Sequence, residues 1–126
     1  AVDAARRVMQ YFDTAATWHH LDEERDLFPL LTDQPTLVPL MERLQTEHRE
    51  LESQWQTLSS QLGHVLEGAT EAKALEDAVK VFCGTHRKHI DREETLLFPT
   101  ARACLRSHEV QRLGRAMAAR RGLGAQ

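Results

Sequence analysis

Hydrophobic positions recur every three or four residues along most of this chain, and no segment alternates with period two. Proline and β-branched residues are few, while Ala, Leu, Glu and Arg are plentiful, so the pattern predicts an all-α fold. A first helix is expected from about Asp3 to Phe28, its apolar side carrying Val8, Tyr11, Phe12, Ala15, Ala16 and Leu27. Pro29 and Pro35 break that pattern, with Thr32 and Asp33 between them as turn formers. A second helix is expected from about Leu37 to Leu66, with Pro39 in its first turn. Its stripe runs Met41, Leu44, His48, Leu51, Trp55, Leu58, Leu62, alternating steps of three and four. That is the seam of a helix packed nearly antiparallel in a bundle. Gly68 suits its end.

Thr70 can cap a third helix, with Glu71 in its first turn, and this helix should reach about Leu97. Gly84 inside it suggests close packing, and Pro99 should kink or interrupt it before TARACL resumes. Ser107 can cap a short final helix to Arg121, with arginines near its C-terminal end and Gly122 after it. The expected architecture is an up-down antiparallel helical bundle plus a short C-terminal helix, in a single domain over residues 1–126.

The polar positions that interrupt the apolar stripes are not random. Phe12 to Pro29 reads FDTAATWHHLDEERDLFP and Phe82 to Pro99 reads FCGTHRKHIDREETLLFP, 70 residues apart with seven of 18 positions identical. Each copy carries His-x-x-x-Glu-Glu and then Leu-Phe-Pro. A His and a Glu four apart share one side of an α-helix. One such pair alone is most simply a buried hydrogen bond that fixes a bundle. Two matched pairs, His19/Glu23 and His89/Glu93, with His48 in the middle of an apolar seam, point instead to a metal site, because buried carboxylates need a partner or a cation. Three imidazoles and two carboxylates exceed one tetrahedral zinc site; two carboxylates bridging two ions use them all, and iron suits the mixed donor set. The Glu-x-x-His spacing of ferritin-like di-iron bundles is absent.

The remaining polar residues are placed more plainly. His20 is expected beside the site or at the surface, with ligation as the lesser alternative, and Glu24 and Glu94 in salt bridges or on the helix surface. His86 is expected as a polar pocket contact that could approach the metal, and Glu52, one turn after His48, as an acceptor beside it or an added acidic ligand. Glu47, Glu52 or Asp22 are candidate acceptors for the second ring N–H of a ligating imidazole. His64 and His108 read as solvated, Trp18, Trp55 and Tyr11 as packing, and Cys83 and Cys104 as half-buried thiols. Net charge is −3 with no basic stripe, which gives no footprint for nucleic acid. No apolar run approaches the roughly 20 residues that span a bilayer, so no membrane segment is expected. Two cysteines and no secretory signal point to the cytoplasm. No nucleophile–base triad, phosphate loop or zinc-protease motif is present.

HHLDEERDLFP, LQTEHRELE and HIDREETLLFP together resemble the hemerythrin-like proteins of the HHE cation-binding group, over nearly the whole chain. The resemblance implies a four-helix bundle and a non-haem di-iron centre, with His19, His48 and His89 as terminal ligands and Glu23 and Glu93 as bridges. It implies an earlier helix donating another His; no residue before His19 matches it, so the chain is expected to be N-terminally incomplete and possible as a homodimer. Oxygen carriers of the group have a further His where Leu44 stands, so the resemblance leans to members that handle redox state, NO or iron. The expected function is a di-iron domain that binds O2 or NO, or senses redox state or iron. An iron-handling or iron-centre repair protein of the same fold, or a structural interaction module, are the alternatives, and whether it is an enzyme is left open.

Overall fold

The structure, a computed structural model, describes residues 2–68 and 71–123. It is all-α, with no strand among the described residues. The α-helices are α1 (Val2–Asp13), α2 (Ala15–Leu21), α3 (Val38–Leu66), α4 (Ala72–Arg92), α5 (Phe98–Cys104) and α6 (Ser107–Arg120).

The predicted first helix is thus not one α-helix. It is interrupted at Thr14, where the side-chain hydroxyl bonds the Gln10 carbonyl at 2.7 Å, and Thr17 Oγ1 takes the Phe12 carbonyl at 2.7 Å. Two hydroxyls therefore compete with the backbone ladder within one turn. After α2 the chain widens into a π-turn at Asp22–Leu27, then tightens into a 3-10 turn at Phe28–Leu31. The third long helix shows the same departure: α4 stops at Arg92 and a π-turn follows at Glu93–Leu97. In both turns the Phe before the proline donates its N–H five residues back, Phe28 to the Glu23 carbonyl and Phe98 to the Glu93 carbonyl. The proline that follows has no N–H and its ring crowds the carbonyl four back, which an ordinary turn cannot absorb. Pro99 accordingly interrupts the helix as a widened turn, and sits in the first turn of α5.

Contacts fix the directions. Met9 meets Ser59, Phe12 meets Trp55 and Glu24 meets His48, so the first segment runs antiparallel to α3. Glu47 meets His89, and Leu58 lies in one apolar cluster with Leu75 and Phe82, so α3 and α4 are also antiparallel. Gly68, at φ 76°, ends α3 in the left-handed conformation that glycine adopts freely. The expected cap Thr70 lies outside the described residues; Glu71 precedes α4 in extended conformation. At α6 it is Arg106, not Ser107, that occupies the cap, its backbone N–H donating to Glu109 Oε1 at 2.9 Å. Gly84 has no atom within 4 Å of where a Cβ would stand, so close packing does not account for it.

The core is two apolar blocks with a polar layer between them. One block holds Ala5, Met9, Phe12, Ala16, Leu51, Leu58, Leu75 and Phe82; the other holds Leu27, Phe28, Leu31, Leu37, Met41, Leu44, Leu97 and Ala101. The α3 seam passes through both, with Leu44 in one, Leu51 in the other and His48 between. Tyr11, expected in the core, is 45% exposed.

A candidate metal centre between two apolar blocks

His20, Asp22, Glu23, His48, His89 and Glu93 are all buried between those blocks. Each gets there for a local reason. His48 rides the apolar seam of α3. His19 and His20 end α2, His89 lies near the end of α4, and the two π-turns open with Asp22 and Glu23 or with Glu93. The matched sequence copies are therefore matched conformations, each with a widened turn at its carboxylate.

The geometry is a web of imidazoles and carboxylates. Glu23 Oε1 stands 2.9 Å from His48 Nε2, and its Oε2 stands 3.7 Å from His19 Nε2. Glu93 Oε1 stands 3.4 Å from His19 Nε2, while its Oε2 stands 3.1 Å from His89 Nε2 and 3.7 Å from His48 Nε2. Each of the two carboxylates thus spreads its oxygens over different imidazoles. The outer ring nitrogens are pinned: His48 Nδ1 to Glu24 Oε2 at 2.5 Å and His89 Nδ1 to Glu47 Oε1 at 2.8 Å. Arginines hold those outer acids in turn, Arg49 on Glu24 at 2.7 Å and Arg92 on Glu47 at 2.9 Å.

The inner nitrogens behave differently. His48 Nε2 and His89 Nε2, both Glu23 oxygens and Glu93 Oε2 are buried without an aligned hydrogen bond, despite the short approaches. These donor atoms therefore crowd one point of the layer without an aligned hydrogen bond between them. Donor atoms of Glu23, His48, His89 and Glu93 all lie within 4.8 Å of one another, as do ring nitrogens of His20, His48 and His89, and such groups can hold a metal ion. His19, half-buried at the edge, reaches the set through both carboxylates.

The electrostatics match. Burial opposes charge on His48, but Glu23, Glu93 and Glu24 outweigh it and push the imidazole up to about 10. Burial raises the Glu23 carboxyl to about 7. Burial also works to raise Glu93, yet His19, His48 and His89 hold it well below the usual carboxylate range. Burial, then the charge of His48, drives His20 down to about 2. Positive charge is what this layer lacks when its imidazoles are neutral.

The family model of the hemerythrin HHE cation binding domain matches residues 1–101. The chain belongs to this family. A curated relative from Haemophilus influenzae, described as an uncharacterized protein, is 32% identical over 116 residues, 91% of this chain. The match spans 66% of that relative's own length. Residues 1–101 of the HHE domain contain both repeat copies and His48, whereas α6 lies beyond them.

Of the two places expected for His20 in this HHE chain, it takes the one beside the site rather than the surface: it is 2% exposed. Glu24 does form the expected salt bridge, with Arg49, but it is also the partner of His48, which the sequence did not suggest. Its repeat in both copies was the available signal; Glu94, its counterpart, is exposed. Of the acceptors considered, Glu47 serves His89, Glu52 pairs with Arg49 at 3.1 Å, and Asp22 is taken by arginines. His86 packs edge-on to Phe12 at 4.8 Å, and Trp55 packs on Phe12 at 5.5 Å. His64 and His108 are exposed, and Cys83 and Cys104 are half-buried free thiols.

One further feature borders the centre. A cavity of about 320 Å³, walled by Leu27, Phe98, Ala101, Leu105, Leu113 and Met117, ends on His19 and Glu23. Helix α6 forms its roof and is tied down by Arg120 and Arg121 on the buried Asp22, each at 2.6 Å. No helix among the described residues is long and apolar enough to cross a membrane.

Proposed function

We propose that this chain is a non-haem di-iron domain that binds O2 or NO as a small ligand in the cytoplasm. The observation that carries it is the convergence of Glu23 and Glu93 with His48 and His89 at 2.9 and 3.1 Å, buried yet not aligned as hydrogen bonds. His19, His48 and His89 would hold the iron as terminal ligands, and Glu23 and Glu93 would be the carboxylates shared between the two ions. Bridging is favoured because each carboxylate already turns its two oxygens to different imidazoles. Iron held there supplies a reducible Lewis acid with room for a diatomic ligand. The protein's own residues do the rest. Glu24 and Glu47 fix the tautomers of His48 and His89 so that Nε2 faces inward. The apolar cavity under α6 admits an uncharged diatomic molecule and disfavours ions. Leu44, fully buried, stands where a further imidazole would be needed for a dedicated oxygen carrier, which favours sensing or NO and redox handling.

Iron analysis of anaerobically purified protein tests this. Two irons per chain, with oxo-bridged iron absorption after oxidation and a changed spectrum on adding NO, are expected. Near-zero iron that Fe(II) incubation does not restore would sink the reading.

A further inference from the structure

His20 lies in the same polar layer, yet no interaction accounts for it. It is 2% exposed, and its Nδ1 has no hydrogen-bond partner. Its ring stacks on His48 with centroids 4.0 Å apart and planes 15° apart, and it meets His89 edge-on at 5.9 Å. A ring nitrogen from each of the three lies within 4.8 Å of the others.

Packing alone does not call for an imidazole here. Leucine would fill similar space without burying an unpaired nitrogen, which is destabilising. The second repeat copy has a hydrocarbon, Ile90, at the matching position. Nor is a hydrogen-bond acceptor within reach to explain it: Glu24 and Glu47 are held by the outer nitrogens of His48 and His89 and by arginines. What remains is a buried imidazole whose Nδ1 has no partner, set among the buried donor atoms of His48 and His89, and imidazole is a common metal ligand.

We propose that His20 is a further metal ligand of this centre, so that His20, His48 and His89 give it an imidazole-rich side while Glu23 and Glu93 bridge beside His19. The inference rests on the metal reading above. Consecutive histidines then serve one site from two faces of the same helical turn, His19 at the solvent edge and His20 from the core. The resulting donor set is asymmetric between the two repeat copies.

The test is a Co(II) titration of metal-free wild type and His20→Leu, read by visible absorption and chelator competition. Removing only a hydrogen-bond partner of a ligand costs about 10–100-fold in affinity, so loss of a ligand should weaken Co(II) by about a hundredfold or more. The metal-free variant should melt no lower than wild type, because an unpaired nitrogen has gone. X-ray absorption of the iron-loaded proteins should count one imidazole fewer in the variant. A smaller affinity loss with an unchanged imidazole count overturns the assignment. If His20→Leu does not fold, His20→Ala with added imidazole replaces it: recovery of Co(II) affinity supports ligation, and no recovery overturns it. Failure of wild type to bind Co(II) or Fe(II) would instead bring down the metal reading as a whole.

Discussion

His48 donates through Nδ1 to Glu24 Oε2 at 2.5 Å, and Arg49 grips the same oxygen at 2.7 Å. The carboxylate decides which ring nitrogen carries the proton, and leaves Nε2 free to face Glu23 and Glu93. Replacing Glu24 with Gln keeps the shape but weakens that preference. Metal affinity should fall by about 10–100-fold with stoichiometry at saturation unchanged. Chelator competition at fixed pH measures it. Wild-type affinity in Glu24→Gln would mean that His48 needs no orienting partner.

Glu93 faces three imidazoles, those of His19, His48 and His89. On the di-iron proposal, Glu93→Gln should leave bound iron close to zero after desalting, because it would remove a charge shared by two ions. His64→Ala, at an exposed position, should retain full iron. Elemental analysis of both variants beside wild type decides the matter. Retained stoichiometry in Glu93→Gln would refute the bridging role.

The sequence carried much of this, for physical reasons. A regular three-four stripe in α3 made His48 visible as the one polar member of an apolar seam. The repeat made His19, Glu23, His89 and Glu93 visible as a set. What it could not carry follows from the π-turns. On an ideal helix Glu24 points about 100° from Glu23, so only a widened turn lets both reach His48. His20 was hidden because its counterpart is Ile90, which made it look incidental. The clamp on Asp22 spans 98 residues, and no local pattern announces a pairing so distant.

His86 offers a pH test that does not depend on metal. Burial, and then the charge of His89, hold its imidazole below the ordinary 6.5. Below that pH the unfolded chain takes up a proton that the folded chain refuses, so this residue costs stability as pH falls and nothing above neutrality. His86→Phe retains aromatic contact with Tyr11 and Phe12 and removes the titration. Between pH 7.5 and 5.5, chelator-treated wild type should lose more stability than the variant. Urea melts at several pH values would show it, and parallel curves would contradict it.

Helix α6 has no buried residue among its 14, so its hold on the bundle comes from a few contacts. Arg120 and Arg121 both engage Asp22, Arg120 also reaches Asp26 at 2.7 Å, and Arg121 lies over Trp18 at 5.7 Å. Leu113 packs against the second apolar block, and with Met117 it roofs the cavity beside His19 and Glu23. Asp22→Asn would leave two guanidinium groups without their shared carboxylate. The cost should be about 2 kcal/mol, below the range for fully buried pairs because the arginines are partly exposed. Hydrogen exchange should then accelerate over Ser107–Arg120 while α3 and α4 stay protected. With the roof loosened, NO should reach the iron-loaded variant faster than wild type in stopped flow. Faster exchange in α6 with an unchanged NO rate would show that the ligand enters by another route. Unchanged exchange would show that the clamp does not hold the helix.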